Sequence, residues 1–324
     1  MLATLPLFQS IALSLRGISS HPERLRLRSH ARGAMQGLAL GDALGATVEF
    51  MTPREIRSQY GCHDRIRGGG WLRLAPGQVT DDTTMAFALA EAWLTHHHAP
   101  SAEDYARAFD AWMRAKPVDI GHTVRRGIAR FRNTGLACTP YSEDAGNGAT
   151  MRCAPTAIAL LGAPADTVGR ATLAQARVTH HNILTDAATL AVVNMVQAGI
   201  VGKAGGGGLR AVMAQANLLV REFPLFQFRT HPAENPSGYI VDSMRVVLRG
   251  IAFNDNFESA LVHVVNCGGD ADTTGAIAGM VIGALVGEAG LPERWLRELE
   301  SSTLRRCNDY ADALIERSPA WQAC

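Results

Sequence analysis

Two short acidic clusters lie far apart in the chain, and each precedes an apolar run of helix-forming residues. One is Thr-Asp-Asp-Thr at residues 80–83, and the other is Gly-Gly-Asp-Ala-Asp-Thr at residues 268–273. Four carboxylates brought together would repel one another unless cations neutralised them. Because oxygen ligands without His or Cys suit Mg²⁺ or Mn²⁺, the two clusters predict a two-metal hydrolase.

Each cluster also has a simpler interpretation as the start of a helix. A Thr or Asp at the N-cap and acids in the first turn are common there, because they bind free backbone N–H groups and favour the helix dipole. One cap uses one side-chain oxygen, however, and each cluster supplies a second carboxylate that capping does not require. The two clusters together therefore favour a metal site.

Composition indicates a globular protein without a dominant surface charge. The chain has 324 residues, of which 47% are hydrophobic and 19% charged, enough for one large domain or two ordinary ones. Its 31 basic and 30 acidic residues give a formal net charge of +1, so neither nucleic acid nor a membrane is an expected partner. The six cysteines are scattered without a Cys-x-x-Cys pair, and no apolar run approaches the about eighteen residues of a membrane helix. These features predict a soluble protein of the reducing cytoplasm.

Residues 1–30 differ from the rest and are predicted to be an extension ahead of a domain at residues 31–324. Residues 1–18 are apolar, and the following stretch carries Arg24, Arg26, Arg28 and Arg32 against one acid, Glu23. A secretory signal would carry its positive charge before the apolar part, so that interpretation is rejected, and a mitochondrial transit peptide matches only loosely. The extension is then either a frayed start or an arm that docks onto a protein partner.

Helical periodicity dominates from Ala31 onward, and breaks fall at Gly- and Pro-rich turns. Few segments alternate with a period of two, and neither an internal repeat nor a linker divides the chain. The 32 glycines suit closely packed helices. One all-α domain is therefore expected, with both acidic clusters at helix N-termini. The predicted helices are residues 31–44, 82–96, 102–115, 119–133, 150–161, 167–178, 185–201, 208–222, 238–253, 256–266, 272–289 and 292–316.

Several motifs in the correct order make the chain resemble the ADP-ribosylglycohydrolases, which include the dinitrogenase-reductase-activating glycohydrolases and the ADP-ribosylarginine hydrolases. Any one motif would be weak evidence, and together, over roughly residues 31–300, they are specific. The motifs are Gly-Asp-Ala-Leu-Gly at 41–45 with Glu49, Thr-Asp-Asp-Thr at 80–83, Gly-Asn-Gly-Ala-Thr-Met-Arg at 146–152, Thr179-His180, and Ser237-Gly238-Tyr239 with Asp242, followed by residues 268–273.

The resemblance implies a compact orthogonal multi-helix bundle and two Mg²⁺ or Mn²⁺ ions. It implies that Glu49 approaches the metals and can gate the pocket. Glu49, Asp81 or Asp82 would accept a proton from the attacking water, and Asp144, close to the central loop, is a further candidate base. The implied metal ligands are Thr80, Asp81, Asp82, Asp270, Asp272 and Thr273.

The central loop and its neighbours contain the candidate substrate-binding residues. Glycines at 146 and 148 would let the backbone approach a diphosphate, with successive N–H groups forming an anion site; an ordinary turn is the alternative. His180 would bind a phosphate or a sugar, or cap a helix, and Tyr239 would stack on adenine or pack in the core. The full set is Gly146, Asn147, Gly148, Met151, His180 and Tyr239.

The expected activity is hydrolysis of the bond between ADP-ribose and a modified protein side chain, with arginine preferred. Serine-linked ADP-ribose and O-acetyl-ADP-ribose remain open, because the motifs match only the ADP-ribose half that these substrates share. Residues 1–30 suggest a second function, that of an immunity-type protein that also blocks an ADP-ribosyltransferase toxin. A metal-dependent phosphohydrolase is a third alternative, which release of phosphate would reveal.

Overall fold

The computed structural model describes residues 21–96, 98–202, 207–230 and 233–323. This part of the chain is all-helical, without a strand, and its only sheet-like pairings are two isolated bridges. The all-α prediction is confirmed. The helices are α1 His21–Gly45, α2 Pro53–Tyr60, α3 Asp81–Thr95, α4 Ala102–Arg114, α5 His122–Thr134, α6 Ala154–Ala159, α7 Ala165–Ala176, α8 Ile183–Val201, α9 Gly207–Glu222, α10 Ile240–Ala252, α11 Phe257–Val265, α12 Ala271–Val286, α13 Glu293–Glu298, α14 Ser301–Arg317 and α15 Pro319–Gln322.

Helices α1 and α12 run against each other at the centre, backbone to backbone. Both carry glycine at every fourth position, and a Cβ at Gly37 would lie 2.2 Å from the carbonyl oxygen of Gly279. A Cβ at Gly41 would lie 2.0 Å from the carbonyl oxygen of Gly275. Only glycine permits this approach, because those distances are far below van der Waals contact. The contact places the last turn of α1 beside the first turn of α12, where the second acidic cluster lies.

Helix α8 passes through the interior, and all but a few of its residues are buried. By length and composition it is the one helix in the described part of the chain that could cross a membrane, and 83% of its apolar window is buried inside the protein. Such burial is typical of the core helix of a globular domain. It packs against α9 and α12.

Three of the differences between the predicted helices and the structure have a clear physical cause. Helix α2 was not predicted, because Ile56 is its only buried residue and its apolar periodicity is therefore weak. The segment 292–316 is two helices rather than one, since Leu299 is extended and the N–H of Glu300 binds the carbonyl of Gly77. Helix α6 begins at Ala154 instead of near residue 150, because the preceding residues form turns.

The first helix extends into the segment that the sequence assigned to the extension. Helix α1 begins at His21, and Leu27 is fully buried. Arg26 donates hydrogen bonds to the carbonyls of Ile200 and Gly202 at the end of α8, each at 2.9 Å. Residues 21–30 therefore pack on the domain as part of α1. The proposed partner-binding arm otherwise falls on residues 1–20, which lie outside the described residues.

Candidate active site

The two acidic clusters meet at the N-termini of α3 and α12. The Thr273 hydroxyl lies 3.4 Å from Oδ2 of Asp82, which joins one cluster to the other across the chain. Asp81, Asp270 and Asp272 line one cavity of about 430 Å³ together with Thr273. Thr80 and Asp82 lie buried behind its wall, where the Thr80 hydroxyl donates to Asp82 at 3.1 Å. Sequence-distant oxygens thus converge on one site.

Asp42 caps helix α3 from outside, a role that the sequence interpretation did not assign. Its buried carboxylate accepts the backbone N–H groups of Thr80 and Thr83, at 3.0 and 3.1 Å, as well as the Thr83 hydroxyl. Thr80, at the N-cap, makes no side-chain capping bond. Because α1 supplies the cap, the acids of α3 itself are left for other ligands. The only signal was the position of Asp42 in the Gly-Asp-Ala-Leu-Gly motif at residues 41–45.

Glu49 is held beside the second cluster by the turn that precedes α12. The N–H of Phe50 donates to the carbonyl of Gly269 at 2.7 Å, and the N–H of Gly269 donates to Met51 at 2.9 Å. Gly269 has φ of 64°, a left-handed value that glycine adopts without strain. As a result, carboxylate oxygens of Glu49, Asp270 and Asp272 lie within 4.8 Å of one another.

Burial and mutual repulsion make these acids hard to ionise without a counter-charge. Burial raises the pKa of Glu49 to about 8 and, with the charge of Asp119, that of Asp81 to about 7. Burial, followed by the neighbouring acids, raises the pKa of Asp82 and of Asp272 well above the usual range. Such shifts are expected where charged oxygens are crowded in a dry site.

The donor set fits hard divalent cations. Oδ1 of Asp82 is buried without a hydrogen-bond partner among the described residues, and a buried carboxylate oxygen without a partner is costly unless something binds it. No Lys or Arg of the described chain lines the cavity. Carboxylate and hydroxyl oxygens are the ligands that Mg²⁺ and Mn²⁺ prefer. The oxygens close enough to share one ion belong to Glu49, Asp270 and Asp272. Asp81 and Thr273 line the same cavity, Asp82 contacts Thr273, and Thr80 contacts Asp82.

The central loop contacts the acidic cluster through Asn147. Its amide donates to Oδ2 of Asp270 at 2.6 Å and to the Ser243 hydroxyl at 2.9 Å. The flanking glycines make room for an imidazole, since a Cβ at Gly146 or Gly148 would lie 2.9 or 2.8 Å from the ring of His180. The sequence interpretation gave these glycines the task of approaching a ligand; in the structure their close neighbour is His180.

His180 is a buried, neutral histidine at the wall of the cavity. Burial lowers its pKa to about 3. Its Nδ1 lies 2.8 Å from the Thr179 hydroxyl, which accepts a hydrogen bond from Arg152 at 2.9 Å. Because Thr179 can then donate its own hydrogen to Nδ1, this network favours the tautomer with hydrogen on Nε2. His180 is thus a hydrogen-bond donor that carries no charge.

The three remaining predicted site residues lie at different positions relative to the cavity. Met151 lines the cavity, and Asp144 lies at its edge, half-exposed and paired with Arg126 at 2.8 Å. Tyr239 is 38% exposed, so it is not packed in the core, and it is not among the residues that line the cavity. Its backbone forms a bridge with Gly146.

Several residues that line the cavity were missed by the sequence interpretation. Asp119 precedes α5, and its charge raises the pKa of Glu49 and Asp81. The only sequence signal was its place as the first residue of the helix predicted at residues 119–133, which in the structure begins at His122. Aromatic residues at the mouth gave no signal at all. The missed residues are Phe50, Trp71, Asp119, Ile120, Gly121, His122, Thr123 and Val124.

The fold and the site define a class of helical hydrolases with an acidic cavity suited to divalent cations. The chain belongs to the ADP-ribosylglycohydrolase family, whose model matches residues 23–324. The resemblance seen in the motifs is thereby confirmed, and the protein is a glycohydrolase of that family.

Named relatives and a solved structure agree with this assignment. The chain is 48% identical over 290 residues to the ADP-ribosyl-[dinitrogen reductase] glycohydrolase of Rhodospirillum rubrum, covering 89% of this chain and 96% of the relative. It is 30% identical over 322 residues to the ADP-ribosylarginine hydrolase Tri1 of Pseudomonas putida (strain GB-1), covering 95% and 83%. A solved ADP-ribosylglycohydrolase-related protein complex matches with a TM-score of 0.77 at 31% identity, covering 90% of this chain and 99% of that one.

Divalent cations are expected to raise the melting temperature, and to raise it more at pH 8 than at pH 6. Asp81 and Glu49 have raised pKa values in the folded, metal-free protein, at about 7 and about 8. The metal-free fold therefore loses stability as these groups ionise with rising pH. A cation at a hundredfold excess over its Kd adds about 2.7 kcal/mol to the free energy of unfolding. For a chain of this size that raises the melting temperature by roughly 5 °C.

Calorimetry in EDTA, and in saturating Mg²⁺ or Mn²⁺, at both pH values measures this shift. Buried neutral histidines such as His180 act on stability in the opposite direction, because their lowered pKa disfavours the fold at low pH. Their contribution is common to both conditions and cancels in the difference. An equal shift at the two pH values, or a larger one at pH 6, would contradict the assignment of these carboxylates.

Proposed function

We propose that the protein hydrolyses the bond between ADP-ribose and an arginine side chain of a modified protein, using two Mg²⁺ or Mn²⁺ ions. The observation that carries the proposal is the convergence of the two acidic clusters, joined by the contact between Thr273 and Asp82, on one cavity. Support for arginine comes from the relative named ADP-ribosylarginine hydrolase. The relative named for dinitrogen reductase supports a protein substrate.

The acidic residues would hold the cations and the ribose together. Asp81, Asp82, Asp270 and Asp272 are placed as ligands, and Thr80 and Thr273 supply hydroxyls. When bound, two such ions lower the pKa of a water and orient sugar hydroxyls. Asn147, through its bond to Asp270, fixes the orientation of that carboxylate. Cleavage develops positive charge on the ribose, which the surrounding carboxylates would stabilise.

Proton transfer would fall to the acids that face the cavity. Burial raises the pKa of Glu49 to about 8 in the metal-free protein, and the indole N–H of Trp71, which donates to it at 2.5 Å, orients the carboxylate. Asp81 and Asp119 face the same space. Interacting acids share their protons, so the group acts as one acid–base system. His180 can donate its Nε2–H to a phosphate oxygen without adding a positive charge.

Incubation with an arginine-ADP-ribosylated protein tests the proposal. Release of free ADP-ribose and recovery of unmodified arginine are expected with Mg²⁺ or Mn²⁺, and both should stop in EDTA. Matched serine-linked and O-acetyl substrates, assayed in parallel, should react at least about tenfold more slowly. Faster turnover of either one would overturn the arginine assignment, and release of inorganic phosphate would favour the phosphohydrolase instead.

The proposal also covers the compartment of the reaction. We place it in the cytoplasm, because the described cysteines are unpaired and a reducing compartment keeps thiols free. A blocking interaction with an ADP-ribosyltransferase would depend on residues 1–20, outside the described residues, and forms no part of this proposal.

A further inference from the structure

Two exposed aromatic rings stand at the mouth of the acidic cavity. Phe50 is 64% exposed, the largest fraction among the exposed large hydrophobic residues of the described chain, and Trp71 is 52% exposed. Both line the cavity, with ring centroids 5.4 Å apart and planes inclined by 48°. The pair therefore forms an open wedge of aromatic surface next to the carboxylates.

The backbone displays the Phe50 ring at a conformational cost. Phe50 has φ of 63°, a left-handed value that is uncommon for a bulky residue. It is held there by its hydrogen bond to the carbonyl of Gly269, in the turn that leads into the second acidic cluster. A strained aromatic residue that remains exposed gains nothing from the core, so its position points to a ligand.

The Trp71 ring is held in place by a hydrogen bond from the edge of its indole, which leaves the ring face free. Its indole N–H donates to Oε2 of Glu49 at 2.5 Å, which ties the ring to a carboxylate of the site. This bond uses the indole edge, whereas cation binding uses the ring face. Trp71 can therefore position Glu49 and offer its face to a ligand at the same time.

The charge of the cavity selects the kind of ligand. Two divalent cations would offset four negative charges, whereas the lining carries six carboxylates, of which only Asp144 is paired with an arginine, Arg126, and within the described chain no Lys or Arg lines the cavity. The cavity thus stays acidic even with both ions bound. A planar cation that can stack on aromatic rings and pair with carboxylates is the complement of such a surface, and guanidinium has both properties. The six carboxylates are Glu49, Asp81, Asp119, Asp144, Asp270 and Asp272.

We infer that Phe50 and Trp71 form an acceptor subsite that binds the guanidinium of the modified arginine, and so selects arginine over hydroxyl-linked substrates. The inference rests on the proposed function, because it assigns the leaving group of that reaction. A neutral serine hydroxyl or an acetyl group would gain no cation–π attraction there. The rings are specificity determinants next to the scissile bond, outside the set of metal ligands.

Binding of agmatine, a free guanidinium compound, tests the subsite without requiring turnover. Titration of the metal-loaded protein in the presence of ADP-ribose should show agmatine affinity falling about tenfold in Phe50→Leu and in Trp71→Leu, the range of a desolvated cation–π contact. Trp71→Phe keeps a ring and should lose less. Free ADP-ribose should bind Phe50→Leu within about twofold of the unchanged protein, because Phe50 makes no side-chain bond to the described acidic residues. The control is Phe253→Leu, since Phe253 is 54% exposed and lies outside the cavity lining.

Phe50→Gly separates binding from folding. Glycine accepts the left-handed backbone, so its melting temperature should be equal or higher while its agmatine affinity falls as in Phe50→Leu. Unchanged agmatine affinity in the Phe50 and Trp71 variants would overturn the subsite even if arginine-linked ADP-ribose is hydrolysed. Failure of the unchanged protein to hydrolyse that substrate would instead overturn the proposed function, so the two failures are distinguishable.

Discussion

Asp81→Asn is expected to lose divalent-cation-dependent turnover by about 10³-fold, roughly 4 kcal/mol of transition-state stabilisation. The same change should make the metal-free protein more stable. Asp81 is buried, and burial together with the charge of Asp119 raises its pKa to about 7. Its ionised form is therefore unfavourable when no cation is present. Removing that charge removes the repulsion along with the ligand, so activity and metal-free stability should change in opposite directions.

The gain in stability should depend on pH in a defined way. At pH 8 the metal-free protein carries ionised Asp81, and Asn should gain roughly 2 kcal/mol in free energy of unfolding, part of the cost that the raised pKa represents. At pH 5.5 the gain should fall to about half of its value at pH 8, because the unfolded chain still ionises there, and it should approach zero only below the unfolded pKa of about 3.9. Denaturant unfolding in EDTA at both pH values measures it, and ADP-ribose release with Mn²⁺ measures activity.

Asp166→Asn is the matched control for this experiment. Asp166 is exposed and pairs with Arg170 on the surface of α7, so its replacement should change neither activity nor unfolding by a measurable amount. If Asp81→Asn kept its turnover, or became less stable than the unchanged protein in EDTA, the carboxylate would be a structural hydrogen-bond acceptor for Gly121 and not a metal ligand.

The helical fold and the two acidic clusters could be predicted because their signals are local. Apolar periodicity marks α4 within a single stretch of chain, and the two carboxylates at the start of α3 are visible within four residues. The prediction that residues 80–83 and 268–273 converge came from the second carboxylate in each cluster, and the family resemblance supported it. The structure confirms the convergence through the contact between Thr273 and Asp82.

Local sequence patterns could not predict contacts between residues that are distant in the sequence. Capping of α3 by Asp42 cannot be read from either helix alone, and Phe50 and Trp71 meet only because a turn sets a left-handed backbone at Phe50. Asp119 belongs to no periodic pattern. Such residues become visible only when packing places them around one cavity. The first turns of α1 were assigned to an extension because their arginines are typical of an exposed segment. The burial of Leu27 could not be predicted, since it depends on residues that are distant in the sequence.

One long-range contact did leave a readable pattern in the sequence. Glycines recur at every fourth position in both α1 and α12, and this spacing puts each set on one face of its helix. The composition alone suggested close packing of helices, and the spacing identifies the two faces that meet. The glycines are Gly33, Gly37, Gly41 and Gly45 in α1, and Gly275, Gly279, Gly283 and Gly287 at α12.

Gly279→Ala is expected to destabilise the protein by roughly 3–5 kcal/mol, because rigid backbone atoms cannot yield to the added methyl group. A Cβ at Gly279 would lie 2.0 Å from the carbonyl oxygen of Gly37. Moving the helices apart would also displace Asp42, and with it the cap of α3, from the start of α12. Any folded Gly279→Ala protein should therefore bind Mn²⁺ more weakly, although no metal ligand has changed.

Urea unfolding and Mn²⁺ titration of Gly279→Ala test both consequences, with Gly207→Ala as the control. Gly207 begins α9, and no described atom lies within 4 Å of a Cβ placed there, so alanine should leave stability unchanged or raise it by about 0.5–1 kcal/mol through its higher helix propensity. A Gly279→Ala protein with the unfolding midpoint of Gly207→Ala would show that α1 and α12 can separate at no cost. Normal stability with weakened Mn²⁺ binding would confine the effect to the site. Lower stability together with weaker Mn²⁺ binding is the result expected if the glycine contact sets the distance between the cap on α1 and the acids on α12.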